Sequence, residues 1–298
     1  MSEYLLLAVS ILCSVSSGIL LRKFKNRTFK TAGDCFLLNG GVSLVWIVVL
    51  LFWSLVFGDV KYSPEAVVYG IIYGIMLCLF LYFRTQATAC GPIALTTLVG
   101  NSAFIIATWF GVVYASEKIN FCQIFGIGLS VLALYMCVNP QKSTERLTPK
   151  WFIYVIAYLL ANGLIGIFYK VFGKSNVSNQ INVMMLTAAI TSAILFWVMG
   201  YAVNFISKKE PPTIRKKAWI YILLTGSVGC IGIRLTVLLA NMIPSAVFFP
   251  VSNGMGMILT TIAGRVWFKE KLGRIQKAGV VIGLSAVVVI GCADIIGK

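Results

Sequence analysis

The sequence predicts an all-α integral membrane protein of ten transmembrane helices, built as two inverted five-helix repeats. Three observations predict it. Of 298 residues, 59% are hydrophobic and only 11% charged, against roughly 25% charged in a soluble domain. Ten apolar runs are each long enough to cross lipid, which takes about 20 residues as a helix. Polar punctuation recurs at matched offsets in the two halves.

The runs lie at 4–21, 35–57, 66–88, 92–114, 121–138, 151–170, 182–205, 217–239, 244–267 and 275–295. Open sheets cannot cross lipid because their edge amides stay unpaired, and barrel strands would be shorter and alternating. The start Met1-Ser2-Glu3-Tyr4 lacks a basic n-region, so the first run is expected to remain as a spanning helix. Gly91-Pro92 and Asn241–Pro244 make short links, with proline at the first helical turn where its missing N–H costs nothing. Longer polar links are Arg22–Gly33, Asn139–Lys150 and Lys208–Lys216; the last holds Pro211-Pro212, a helix stop.

The Asn139–Lys150 link divides a first repeat, 1–140, from a second, 141–298. Pro92, Asn101 and Glu117-Lys118 in the first correspond to Pro244, Asn253 and Glu270-Lys271 in the second, and Gly126 corresponds to Gly279. Arg84 corresponds to Arg234, Gly18 to Gly166 and Phe24 to Phe172. Five helices per half is an odd number, so the second half enters the bilayer from the opposite side, as in secondary transporters.

The net charge of +16 does not point to nucleic acid. The cations cluster in links between apolar runs, and 19 of the 25 basic residues fall in links after odd-numbered helices or at their ends. The positive-inside rule makes those links cytoplasmic and both termini external. The eight cysteines lie in or beside apolar runs without a C-x-x-C pair, as packing residues do. There is no histidine, which removes histidine triads, zinc H-E-x-x-H sites and histidine proton relays. No Walker motif is present. No catalytic group, metal site or cofactor is therefore expected.

The repeated units Gly91–Met136 and Ile243–Ile290 resemble the two copies of the EamA-type unit of the drug/metabolite transporter superfamily. A long apolar helix, an acidic residue (Glu117, Glu270) and then a glycine-rich helix carry the resemblance. It implies a ten-helix basket with a central cavity working by alternating access. It also implies traffic in metabolites, amino acids, nucleotide conjugates or drugs. Asn101 and Asn253 stand where the family often has proline, and many members keep both termini inside.

Polar groups within spans are costly and tend to face a bundle interior or a wet cavity. Arg84 and Arg234 are candidate ligands for a carboxylate or phosphate, or else snorkel to headgroups. Asn39, Asn101, Asn162 and Asn253 carry amides that orient a ligand or tie helices together. Tyr73, with Tyr69 at i−4, is a candidate aromatic wall for an organic cation; Trp46 and Trp109 share that ambiguity. Glu117, Glu270 and Asp34 are the carboxylates open to proton coupling, with sodium as the other coupling ion.

The expected function is secondary transport of a small metabolite — amino acid, organic acid, nucleotide-like or drug-like solute — across the inner or plasma membrane. A channel and a membrane-embedded enzyme acting on lipid are the alternatives.

Overall fold

The computed structural model describes residues 2–28, 32–57, 62–91, 93–116, 119–137, 148–206, 218–268 and 273–296. Eleven helices follow one another: α1 (Ser2–Thr28), α2 (Ala32–Phe57), α3 (Pro64–Cys90), α4 (Ile93–Asn101), α5 (Phe104–Ala115), α6 (Phe121–Cys137), α7 (Pro149–Gly173), α8 (Ile181–Ile206), α9 (Ala218–Met242), α10 (Ser245–Phe268) and α11 (Arg274–Ile296). Glu117, Lys118, Glu270 and Lys271, and most of the longer polar links, lie outside the described residues.

Eight segments are long and apolar enough to cross a bilayer, with α4 and α5 counting as one between Leu95 and Tyr114, and α6 is a shorter apolar helix. The chain is a multi-pass helical membrane protein. Its outer surface fits that solvent: Leu55, Phe121, Phe205 and Ile206 are exposed by 78% or more. Such a surface is untenable in water but ordinary against acyl chains.

Local chemistry sets the helix starts. Ser63 precedes Pro64 and accepts the Ala66 N–H at 3.3 Å, and Thr148 precedes Pro149 and accepts the Trp151 N–H at 3.2 Å. Both are hydroxyl N-caps followed by proline at the first helical position. A second device opens α6 and α11. Gln123 Oε1 accepts the Asn120 N–H and Gln276 Oε1 accepts the Gly273 N–H, each at 3.0 Å. These are the glutamine arms of capping boxes.

Of the ten expected spans, the fifth is the shorter helix α6, the tenth (α11) is not among the eight, and the fourth is interrupted. Ser102 and Ala103 form a turn between α4 and α5. There Ala103 N–H bonds Gly100 O at 3.3 Å and Ile105 N–H bonds Ser102 O at 3.0 Å. These three-residue bonds are 3₁₀ geometry. They take those donors from the carbonyls four residues back, Val99 and Asn101.

Two compact units emerge, and neither coincides with 1–140 or 141–298. One comprises 1–7, 79–171 and 239–298, the other 8–78 and 172–238. Each takes helices from both halves of the sequence, and the divide falls within α1, α3, α7 and α9.

In the second unit α2 packs along α8. Ser43 and Ser192 hydroxyls meet at 3.0 Å, and Gly33 N–H bonds Asn204 Oδ1 at 3.2 Å. Gly70 and Gly74 of α3 lie against Thr187 and Thr191 of α8. Gly226, Gly229 and Gly232 form a stripe on α9 against Val45, Ser17 and Cys13. Small residues permit this approach where apolar burial gives no drive, because lipid is equally apolar. Leu38, Val45, Ala218 and Ile222 form a core cluster there. In the other unit α6 packs along α11, and α10 touches α5, α6 and α11. Gly126 lies against Ile290, and Gly283 against Ile258 and Ala133.

Gly70→Ala tests the close packing of α3 on α8, where an added Cβ meets Thr187 and the Met184 carbonyl. It should cost about 1–3 kcal/mol as overpacking. Gly256→Ala, with open space at its Cβ, should stay within about 0.5 kcal/mol. Thermal unfolding of the two variants side by side checks the difference.

Candidate functional site

The α4–α5 interruption is the first place to look for chemistry. Lipid offers no hydrogen bonds, so irregular backbone within a span is tolerated only where protein or a wet cavity covers it. Asn162 of α7 donates from Nδ2 to Gly100 O at 2.8 Å. Gly100 has no side chain to keep Tyr158 away. Tyr158, Asn162, Gly166 and Lys170 repeat every four residues, forming the face of α7 that follows α4 and α5; Gly166 meets Ala107. Asn101 Nδ2 approaches Met257 Sδ of α10 at 3.9 Å, a weak contact that leaves most of the amide's bonding capacity unused.

α10, which packs on α5, is continuous but has a proline within it. Pro250 lies inside the helix and has no N–H to give the Ala246 carbonyl. Asn253 Nδ2 donates to Phe249 O at 2.9 Å, one residue before the proline. Thr108 Oγ1 on α5 and Ser252 Oγ on α10 are buried with no hydrogen-bond partner among the described residues. Hydroxyls within helices usually bond a carbonyl one turn back; these two do not. Asn101, Asn162 and Asn253 thus share one unit with the interrupted α4–α5 span, the proline-bearing α10 and two hydroxyls unpaired among the described residues.

Arg234, Asn39 and Tyr73 belong to the other unit. The Arg234 Nε donates to Asn182 Oδ1 at 2.9 Å, and its guanidinium lies over the Trp53 ring at 4.4 Å. Asn182 is 4% exposed and stands in the first turn of α8. The amide and the ring fix the guanidinium plane from two directions, a cation–π contact adding to the hydrogen bond. Asn39 donates to Cys35 O of its own helix at 2.7 Å. Tyr73 is fully buried, and Tyr69 meets Phe172 edge to face at 5.5 Å. Trp46 is buried with its indole N–H unpaired among the described residues, and Trp109 is 70% exposed. Arg84 is exposed near the end of α3. Asp34 is buried in the first turn of α2, where the helix dipole favours an anion.

Lys170 is a further polar group that the sequence does not single out, since it lies at the very end of an apolar run. It is 4% exposed, and its Nζ donates to Ile243 O at 3.1 Å. That carbonyl follows the last turn of α9, where a cation suits the helix C-terminus. The four-residue spacing of Asn162, Gly166 and Lys170 is the only sequence signal that points to an inward face for it.

Comparison with known proteins identifies the fold alone. A solved chain described only as a crystal structure of a protein superposes with a TM-score of 0.76 at 14% identity, covering 97% of this chain and 96% of that chain. No family model matches the sequence, and no curated protein does.

Asn182→Leu should leave the Arg234 Nε without its acceptor and cost about 1–3 kcal/mol. Trp53→Phe keeps a ring beneath the guanidinium and should cost less. Melting temperatures of both variants check the order; equal losses would mean that the amide does not hold the arginine.

Proposed function

We propose that the chain is a secondary transporter that moves a small polar metabolite by alternating access. The observation that carries this reading is the interruption of the α4–α5 span opposite proline-bearing α10. Discontinuous helices supply both the binding groups and the bending points in secondary transporters. Asn101 and Asn253 offer amides there, with Asn162 bracing the Gly100 turn. Thr108 and Ser252 hydroxyls lack partners among the described residues; a ligand or a rearranged α5–α10 interface satisfies them.

The inverted repeat supports the same reading. With α4 and α5 as one crossing, α6 and α11 bring the count to ten, five per half. The helices that correspond by position also pack together: α2 with α8, α5 with α10, and α6 with α11. The glutamine caps Asn120–Gln123 and Gly273–Gln276 are offset by the same interval as Glu117 and Glu270. An EamA-type drug/metabolite transporter fits this arrangement. Burial of Lys170 removes one cation from the sparsely charged side, which strengthens the assignment of the basic links to the cytoplasm.

Arg234 belongs to the other unit; considered by itself, a guanidinium fixed by Asn182 and Trp53 is preorganised for carboxylate or phosphate, which favours a solute with an anionic group. Organic acids, amino acids and nucleotide-like solutes meet that demand. Proton or sodium coupling is the expected drive, and the plasma or inner membrane the expected site.

Screening the purified protein against a metabolite library by thermal shift tests the proposal. A ligand should raise the melting temperature as RT ln(1 + [L]/Kd). Asn101→Leu and Asn253→Leu should each weaken its binding about tenfold. In proteoliposomes the same solute should show saturable uptake and counterflow. Flux that never saturates would instead identify a channel and overturn the transporter.

A further inference from the structure

We propose that the adjoining ends of α3 and α7 form a binding site for an acidic phospholipid, with Arg84 and Lys150 as ligands of its headgroup phosphate. This assignment stands apart from the transport reading and uses none of its residues except Arg84, which it gives a different role.

Arg84 carries the argument. It lies six residues before the end of α3, about 9 Å along the axis. α3 has 27 residues and so spans about 40 Å against a hydrocarbon core of about 30 Å. Arg84 therefore starts close to the boundary between hydrocarbon and headgroups. Its side chain is exposed. Among the described residues it has no hydrogen-bond, ion-pair or ring partner. A guanidinium on the lipid-facing side of a span must find an anion or water outside the protein, and its long stem reaches toward headgroups.

Lys150 supplies a second cation at similar depth. Thr148 Oγ1 donates to Cys90 O at 3.3 Å, and the Phe80 and Tyr158 rings lie 5.4 Å apart. These contacts align α7 antiparallel to the end of α3, with Arg84 level with residues 152–154 and Lys150 about one turn nearer the water. Lys150 is exposed and also lacks a partner among the described residues. Polar Thr85, Gln86 and Thr88 and aromatic Tyr82, Tyr154 and Trp151 surround this level, the composition of a membrane–water interface.

A phosphate diester suits the pair, since the guanidinium fork takes two oxygens and the ammonium acts as a point charge. Free phosphate shares that chemistry. The lipid is favoured because Phe152, Ile153 and Ile156 beside Lys150 are each exposed by 47% or more, which offers acyl chains a wall. The basic links place this end on the cytoplasmic face, where anionic lipids attract Lys and Arg.

Native mass spectrometry and thermal shift of the full chain, titrated with phosphatidylglycerol or phosphatidylcholine in detergent, test the site. Phosphatidylglycerol should be retained and should raise the melting temperature, whereas phosphatidylcholine should not. Arg84→Ala and Lys150→Ala should each weaken phosphatidylglycerol binding about fivefold, with Arg84→Lys recovering most of the loss. Lys174→Ala, which removes the same charge elsewhere, should leave binding unchanged. Neither cation bonds a described residue, so the apo melting temperature should stay near that of the parent chain. Undiminished binding in the Arg84→Ala, Lys150→Ala double variant overturns the proposal. So does an equal loss in Lys174→Ala, which marks diffuse charge attraction, or equal stabilisation by inorganic phosphate, which marks a site for the free anion.

Discussion

Hydrocarbon cannot hydrogen-bond a peptide group, and the rest of this structure depends on that constraint. Every described element is a helix because only a helix satisfies its own backbone within one segment. The same constraint gives meaning to the exceptions. In a soluble protein a 3₁₀ turn such as Gly100–Ala103 would be unremarked, since water would take up the released carbonyls. Within a span it must be covered, and here the Asn162 amide of α7 does part of that work. Pro250 releases another carbonyl in α10, the helix that packs on α5.

Packing in this solvent has a different logic from that of a soluble core. Burying leucine against leucine gains little when the alternative is lipid. Helices approach where side chains are small and where buried polar groups pair. Gly226, Gly229 and Gly232 bring α9 against α1 and α2; Gly70 and Gly74 bring α3 against α8. Ser43 with Ser192 and Gly33 with Asn204 supply the polar links. This explains why the compact units cut across the two sequence halves. Partners are chosen by complementary glycine and hydroxyl positions, and those lie on helices far apart in the chain.

The cations separate by the same reasoning. Three inward or lipid-facing cations meet three different fates: Arg234 is pinned by an amide and an indole ring, Lys170 closes the end of α9, and Arg84 faces outward. All three lie within about eight residues of the C-terminal ends of their helices, so hydropathy and position along the helix do not by themselves say which way they face. For Lys170 that face was legible, because Asn162 and Gly166 precede it at four-residue intervals. For Arg84 and Arg234, matched across the repeat, no such pattern separated the outward residue from the inward one.

The sequence by itself determined the solvent, the helical class and eight of the ten expected spans, because hydropathy over about 20 residues is a local property that lipid reads directly. It also marked Asn101 and Asn253 as unusual, since an amide in an apolar run is conspicuous without any knowledge of neighbours. Tertiary structure alone decided that the span around Asn101 is interrupted, that Asn39 bonds its own helix, and that Tyr73 is sealed in packing. Those outcomes depend on which residue of another helix arrives opposite: Asn162 at Gly100, Met257 at Asn101, Asn182 at Arg234. Hydropathy carries no information about such meetings, which are set by shape and hydrogen-bond complementarity between segments dozens of residues apart.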